Sequence, residues 1–100
     1  MLRDDGCHIL MEHLLENNTL KVLDLNANEI SFKGCEAIAK YLKGENCQLE
    51  SLHLANNKCS DYGAKAIAQA VAVNKSLVHI DMTYNSINDF GLTLFAQALS

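Results

Sequence analysis

The feature that most constrains this chain is a short pattern of leucine and asparagine that occurs three times at nearly constant spacing. The pattern L-x-x-L-x-L-x-x-N begins at Leu20 and again at Leu49 and Leu77, with Ile80 and Met82 replacing two leucines in the third copy. The offsets between the copies are 29 and then 28 residues. A period in this range indicates stacked repeats, in which each repeat covers the apolar side of its neighbour.

The pattern resembles the leucine-rich repeat, and the repeat length with a helical second half resembles the ribonuclease-inhibitor-like subclass of that family. The resemblance extends from Leu2 to Leu99. It implies an α/β fold, a right-handed solenoid with short parallel strands on the concave face and helices on the convex face. We interpret the chain as a single leucine-rich-repeat segment with a partial repeat at 1–19 and repeats at 20–48, 49–76 and 77–100.

Each repeat begins with alternating residues, which predicts a short strand. Leu23 and Leu25 alternate with the more polar Asp24 and Asn26, and this period of two turns the leucines towards the core. In a parallel sheet, equivalent residues of adjacent repeats lie about 4.8 Å apart. The outward residues, which we predict to be the partner-binding concave surface, are Val22, Asp24, Asn26, Ser51, His53, Ala55, His79, Asp81 and Thr83.

The second half of each repeat has the apolar spacing of a helix. The apolar pairs are Ile38 with Leu42, Ile67 with Val71, and Phe95 with Leu99. Ser31, Ser60 and Asn88 stand where an N-cap is expected, and Asp61 and Asp89 follow in the first turn, where the helix dipole favours an acid. Gly34, Gly63 and Gly91 recur in this first turn, which indicates close approach to a neighbouring backbone.

Two rows of asparagine recur with the repeat. Asn28, Asn57 and Asn85 follow the strands, where their amides are expected to bond to the backbone of the turn. The second row is Asn17, Asn46 and Asn74, each three residues before the opening leucine, and we predict left-handed helix caps there. The one additional residue of the 29-residue repeat falls near Gly44, in a loop.

The net charge, the lengths of the apolar runs and the cysteines limit which partners the chain can bind and in which compartment it is found. The net charge is −4 with both signs interspersed, which argues against nucleic acid, and no run of about 18 apolar residues argues for a membrane span. Met1 to Asp5 lacks the basic flank of a secretion signal. Cys7, Cys35, Cys47 and Cys59 form no C-x-x-C pair, and we interpret them as reduced thiols, with Cys59 in a small buried site otherwise held by isoleucine. An intracellular location, cytoplasmic or nuclear, follows.

Possible chemistry concentrates on the row of Asp24, His53 and Asp81, with His79 diagonal to His53. Acid, imidazole and acid in one row could orient a general base or hold a metal. The alternative, which we favour, is a solvated polar row that recognises a charged partner. We therefore expect no catalytic residue, no metal and no cofactor. Tyr41 and Tyr84 are further candidates for a contact surface because tyrosine is enriched at binding hot spots, and Tyr62 and Phe90 are expected to cover helix starts.

The function predicted from these features is a non-catalytic protein-protein interaction module that binds a protein partner through the concave face and adjoining loops. The resemblance leaves two alternatives: a regulator of a small GTPase, like the activators of Ran-type GTPases, or a structural piece of an innate-immune receptor repeat tail. The uncapped ends also predict a fragment of a longer solenoid, with self-association through those ends.

Overall fold

The computed structural model describes residues 1–88 and Thr93, and in that part of the chain helices and strands alternate. The elements are α1 (Arg3–Leu14), β1 (Val22–Asp24), α2 (Phe32–Lys43), β2 (Ser51–His53), α3 (Ser60–Val73) and β3 (His79–Asp81). The helix expected after Asn88 lies outside the described residues, and so do the positions predicted for Asp89, Phe90, Gly91, Phe95 and Leu99.

The strands form an open parallel sheet in the order β1-β2-β3. Val22 pairs with Ser51 and Ser51 with His79, and one residue further along, Leu23, Leu52 and Ile80 lie side by side. This is the register that the 29- and 28-residue offsets predict, and the α/β solenoid is thereby confirmed.

The core lies between the sheet and the helices. Leu52 and Leu54 from the strand side and Ile38, Leu42 and Ile67 from the helices are fully or almost fully buried. Helix α2 packs against both α1 and α3, whereas α1 and α3 do not touch within the described elements. Each repeat is therefore stabilised only by its immediate neighbours, as expected for a solenoid.

The first asparagine row closes the turns after the strands, as predicted. The Nδ2 of buried Asn57 donates to the carbonyls of Leu25 and Leu54 at 2.9 and 3.0 Å. Its Oδ1 accepts the N–H groups of Asn28 and Ile30 at 2.9 and 3.0 Å. Three of these four partners belong to the preceding repeat, so the row joins repeats as well as closing turns.

The second asparagine row does not form left-handed caps, and this prediction was wrong. Asn74 ends α3 with extended backbone (φ −74°, ψ 139°), and Asn17 and Asn46 are not among the residues with positive φ. Asn74 Oδ1 instead accepts the N–H groups of Ser76 and Leu77 at 2.8 and 2.6 Å. The side chain therefore makes the turn, and no left-handed residue is required there.

The predicted N-caps are confirmed at Ser31 and wrong at Ser60. Ser31 is extended and its hydroxyl oxygen accepts the N–H of Lys33 at 3.3 Å. The N-cap position of α3 is held by Cys59, and Ser60 is the first residue of the helix, with a left-handed φ of 60°. Among the hydrogen bonds of residues 1–88, none involves the Ser60 side chain. Its N–H donates to the carbonyl of Asn85 at 2.9 Å, so the backbone of the next repeat takes the role expected of the hydroxyl.

The repeated glycines make room for side chains, and the predicted backbone approach was wrong. A Cβ at Gly34 would lie 2.5 Å from Cγ2 of Ile30 and 2.7 Å from Oδ1 of Asp4. At Gly63 it would lie 2.9 Å from Cβ of Cys59 and 3.1 Å from Sγ of Cys35. Glycine is required in these first turns because residues of the same and the preceding repeat fill the space.

Candidate functional site

The predicted concave surface is present as three short rows across the sheet. The rows are Val22 with Ser51 and His79, Asp24 with His53 and Asp81, and Asn26 with Ala55 and Thr83. Eight of these nine residues are at least partly exposed. The exception is Ala55, which is only 7% exposed.

Asn26 accounts for the burial of Ala55. Asp24 Oδ1 accepts the N–H of Asn26 at 3.0 Å, and Asn26 Oδ1 accepts the N–H of Ala55 at 2.7 Å. The asparagine side chain therefore reaches over the small alanine of the next repeat. Ala55 thus departs from the exposure expected of an outward residue, and Asn26 presents the polar surface at this point.

Two histidines occupy the middle of the surface. The ring centroids of His53 and His79 lie 5.3 Å apart with an angle of 48° between the ring planes. His53 Nε2 and the hydroxyl of Ser51 lie 3.0 Å apart and are hydrogen-bonded. The pairing of the strands brings these three side chains together, because Ser51 lies beside His79 and two residues before His53.

Asp81 lies beside His53 on the adjacent strand. Its Oδ1 accepts the N–H and the hydroxyl of Thr83 at 3.0 and 2.9 Å. These two bonds, with a smaller contribution from the two histidines, hold the pKa of the Asp81 carboxyl below its usual value. Asp81 therefore remains a carboxylate over the physiological range and offers its second oxygen to a partner.

The contact between Ser51 and His53 resembles two members of a hydrolytic triad, but the geometry does not complete one. Among the hydrogen bonds of residues 1–88, none joins His53 to Asp24 or Asp81, and both carboxylates accept from backbone N–H groups two residues ahead. A triad needs a carboxylate that orients the imidazole. Over the same residues, no cluster of three or more histidine, cysteine, aspartate or glutamate side chains could hold a metal ion.

Two large exposed residues lie immediately before and shortly after β3. Val78 is 86% exposed and Tyr84 is 80% exposed, and they flank β3 on either side. Tyr84 was predicted from its residue type, whereas Val78 was missed. The signal for Val78 is its repeat position, where the two preceding repeats carry Lys21 and Glu50 and this repeat carries an apolar side chain.

Tyr41, the other tyrosine predicted for a contact surface, belongs to the core. It is 1% exposed, and within residues 1–88 no nitrogen or oxygen atom lies at hydrogen-bond distance from its hydroxyl, whose neighbour is Cys47. Burial, with the neighbouring Cys47, raises the pKa of Tyr41 to about 12. The residue belongs to the buried core and cannot reach a partner.

Comparison with known proteins agrees with this architecture. The family model described as Leucine Rich repeat matches residues 16–39, 45–68 and 73–96. The chain is 28% identical to human NACHT, LRR and PYD domains-containing protein 12 over 98% of its length, and 34% identical to chicken leucine-rich repeat-containing protein 45 over 98%. It is 30% identical to pig ribonuclease inhibitor over 95% of its length.

The chain therefore belongs to the leucine-rich repeat family. Within that family, its 28- to 29-residue repeats and its similarity to ribonuclease inhibitor define a member of the ribonuclease-inhibitor-like subclass, a class of protein-interaction repeat modules. The chain spans 9%, 15% and 21% of the length of the three relatives named. In the part of the chain that the structure describes, no helix is long and apolar enough to cross a bilayer.

Proposed function

We propose that this segment binds a protein partner, without catalysis, through the concave surface formed by its three strands and the loop that carries Tyr84. The observation that carries the proposal is the register of the outward side chains. Asp24, His53 and Asp81 form one continuous polar row across the sheet, next to the stacked pair of His53 and His79. A surface that is preformed on strands loses little conformational entropy when a partner binds.

The partner that fits this surface presents a cationic group to the polar row and an apolar group at its edge. Asp24 and Asp81 each retain an oxygen that makes no bond within residues 1–88, and Tyr84, which follows β3, is 80% exposed. Tyrosine and desolvated charges are typical hot spots of interfaces. One relative bears the name ribonuclease inhibitor, which supports an enzyme-binding role for this kind of scaffold. Four free, buried thiols support an intracellular setting.

The test compares two triple variants against a partner identified by crosslinking to the wild-type protein. The concave variant changes Asp24, His53 and Asp81 to alanine. The convex control changes Glu36, Lys65 and Gln69, which are exposed on the helices, to alanine. We expect the concave variant to weaken Kd by roughly tenfold or more, about 1.4 kcal/mol, and the convex control to leave it unchanged. Equal affinity for all three proteins would reject the concave surface as the binding site.

A second candidate is that the segment is one part of a longer solenoid. The share of each relative that it spans favours this, and so does Ile9 of α1, which is 62% exposed. We propose that the outer side of α1 is covered by a further repeat in a longer parent, or by a second copy of this segment when the segment is isolated. Sedimentation of the wild type and of Ile9→Lys tests this. Self-association that the substitution reduces is expected, and a wild type that remains monomeric at high concentration would reject the second copy.

A further inference from the structure

We propose that Cys35 and Cys59 are an oxidation site and form an intramolecular disulfide when the protein encounters a hydroperoxide. Cys35 lies in the first turn of α2, and Cys59 immediately precedes α3. Their Sγ atoms lie 2.6 Å apart, and both residues are fully buried. A disulfide needs the two sulfurs at about 2.0 Å, so the pair requires only a small approach to form the bond.

The repeat explains why two sulfurs meet at this one point. Cys59 occupies the position of Ile30 in the preceding repeat, and Cys35 occupies the position of Cys7 in the preceding helix. The preceding repeat therefore places Cys7 against an isoleucine, and only the next one places a thiol against a thiol. The two successive repeats thus bring equivalent side chains together, but only the second pair consists of two thiols that can be oxidised to a disulfide.

The glycines of the two repeats confirm that the pairs are equivalent. A Cβ at Gly34 would meet Ile30 at 2.5 Å and the Sγ of Cys7 at 3.5 Å. At Gly63 it would meet Cys59 at 2.9 Å and the Sγ of Cys35 at 3.1 Å. Gly63 leaves the space in which the two thiols face each other. The fourth thiol, that of Cys47, lies elsewhere, 3.6 Å from Nδ2 of Asn74.

Burial controls when the pair can react. The hydrogen bond to Cys59 and burial raise the pKa of the Cys35 thiol, and burial with the nearby Asp4 raises the pKa of Cys7 to about 11. Thiols with raised pKa values carry little thiolate at neutral pH and react slowly. Oxidation therefore requires local opening of the segment before α3, after which the fold returns the sulfurs to each other.

The reaction balances with one hydroperoxide per pair. The thiolate of one cysteine attacks an oxygen of hydrogen peroxide, the O–O bond breaks, a sulfenic acid forms, and the hydroxide that leaves takes up the proton released by that thiol to give water. The second thiolate attacks the sulfenic sulfur, the S–S bond forms, the S–O bond breaks, and the hydroxide that leaves takes up the proton of the second thiol to give the second water. Two thiols are oxidised and hydrogen peroxide is reduced to two waters. The cross-link ties α2 to the start of α3.

The experiment treats the 100-residue chain with hydrogen peroxide, then alkylates the remaining thiols in denaturant and digests with trypsin. Cleavage after lysine and arginine places the four cysteines in different peptides, 4–21, 34–40, 44–58 and 59–65. We expect peptides 34–40 and 59–65 to be recovered joined, from monomeric protein whose mass has fallen by two hydrogens. Reducing agent should separate them and lower the Tm of the oxidised protein.

Matched variants keep the result decisive. Cys59→Ile introduces the residue that the adjacent repeats carry at this position, Ile30 and Ile87. Cys35→Ala introduces the residue that α3 carries at the equivalent position, Ala64. Each variant should therefore abolish the cross-link with side chains that the fold already accommodates. Cys47→Ser should leave the cross-link unchanged. Recovery of 34–40 and 59–65 as separate alkylated peptides, while Cys7 or Cys47 is oxidised or joined to another chain, would overturn the proposal.

Discussion

The starts of α2 and α3 occupy equivalent positions in successive repeats and are stabilised in different ways. At α2, the carboxylate of Asp4 in the preceding helix accepts the N–H groups of Ser31 and Gly34 at 2.8 and 3.1 Å, and also the hydroxyl of Ser31. At α3, the residue equivalent to Asp4 is Phe32, and Ser60 adopts a left-handed backbone that bonds to the repeat that follows.

The difference shows that the free N–H groups at the start of a helix can find their acceptor either in the preceding repeat or in the following one. A carboxylate from the preceding repeat satisfies the free N–H groups of α2 and favours the positive end of its dipole. Phe32, the residue equivalent to Asp4, has a side chain with no hydrogen-bond acceptor and no charge, so it can neither bind N–H groups nor favour the helix dipole. It packs instead against Tyr62, with ring centroids 6.4 Å apart, and the N-terminus of α3 depends on strained backbone. Stability at α2 thus resides in side-chain bonds that are lost if one residue changes.

The largest expected effect comes from filling the glycine of each first turn. Gly34→Ala should lower the free energy of unfolding by about 3 kcal/mol, because the new Cβ meets both Ile30 and the capping carboxylate of Asp4. Gly63→Ala should cost about 1.5 kcal/mol, because its contacts at 2.9 and 3.1 Å are looser and no carboxylate is displaced. Urea unfolding of both variants measures the difference. A larger loss at Gly63 would contradict the comparison.

Removing the capping carboxylate should have the next largest effect. Asp4→Ala should lower the free energy of unfolding by about 2 kcal/mol, since three donors at the start of α2 lose their acceptor. Asp5→Ala is the matched control on the same helix. Asp5 is exposed and its side chain takes part in none of the hydrogen bonds of residues 1–88, so a loss below about 0.5 kcal/mol is expected in the same urea experiment.

Replacing the two serines by glycine should change stability in opposite directions. Ser31→Gly should destabilise by about 1 kcal/mol, mainly because the hydroxyl no longer donates to the Asp4 carboxylate. Loss of the bond from Lys33 to the hydroxyl adds only a few tenths, because glycine is itself tolerated as an N-cap. Ser60→Gly should stabilise by about 0.5 to 1 kcal/mol, because glycine adopts a φ of 60° without strain. Thermal unfolding followed by circular dichroism reports both signs. Stabilisation by both glycines would show that Ser31 contributes no cap.

Acid should remove part of the difference between the two helix starts, which is the smallest effect. Burial opposes ionisation of Asp4, but bonds from Ser31 and Gly34 offset it and hold the pKa of the carboxyl below its usual value. A folded pKa below the unfolded one, about 3.9, gives stability that is complete above that pH and is lost as pH falls through the folded value.

The stability gap between the wild type and Asp4→Ala should therefore be constant near neutrality and shrink below about pH 4. Urea unfolding of both proteins near pH 7 and near pH 3 measures it, with Asp5→Ala as the reference for general acid effects. A gap that does not change with pH would mean that the ionised form of Asp4 contributes nothing beyond the protonated one.

The strands and their neighbours were predictable because the repeat spacing alone determines them. Asp24, His53 and Asp81 each stand four residues after the opening leucine of their repeat, which places them in one row whatever the side chains are, and the structure has that row. The asparagine after each strand was predictable for a similar reason. In each repeat this asparagine follows a strand, at a turn whose backbone groups have no partners in the sheet. The same side chain can therefore supply the missing hydrogen bonds in each repeat.

Features that depend on contacts between non-equivalent positions could not be predicted in this way. Ser31 and Ser60 are identical residues at equivalent positions, yet Asp4 or Phe32 in the preceding repeat decides how each helix begins. Ala55 is outward by periodicity but is covered by Asn26. Cys35 and Cys59 meet although they occupy two different positions of the repeat, a contact that the repeat spacing does not indicate.

The asparagine that closes each turn determines the order in which the hydrogen bonds of successive repeats can form. Asn57 serves the Leu25 carbonyl and the N–H groups of Asn28 and Ile30, which precede it by 32, 29 and 27 residues. A chain leaving the ribosome therefore exposes the turn after β1 to water until roughly one further repeat has been made. The turns after β1 and β2 are each completed by an asparagine of the following repeat. During synthesis, the backbone hydrogen bonds of such a turn can therefore form only after the next repeat has been made.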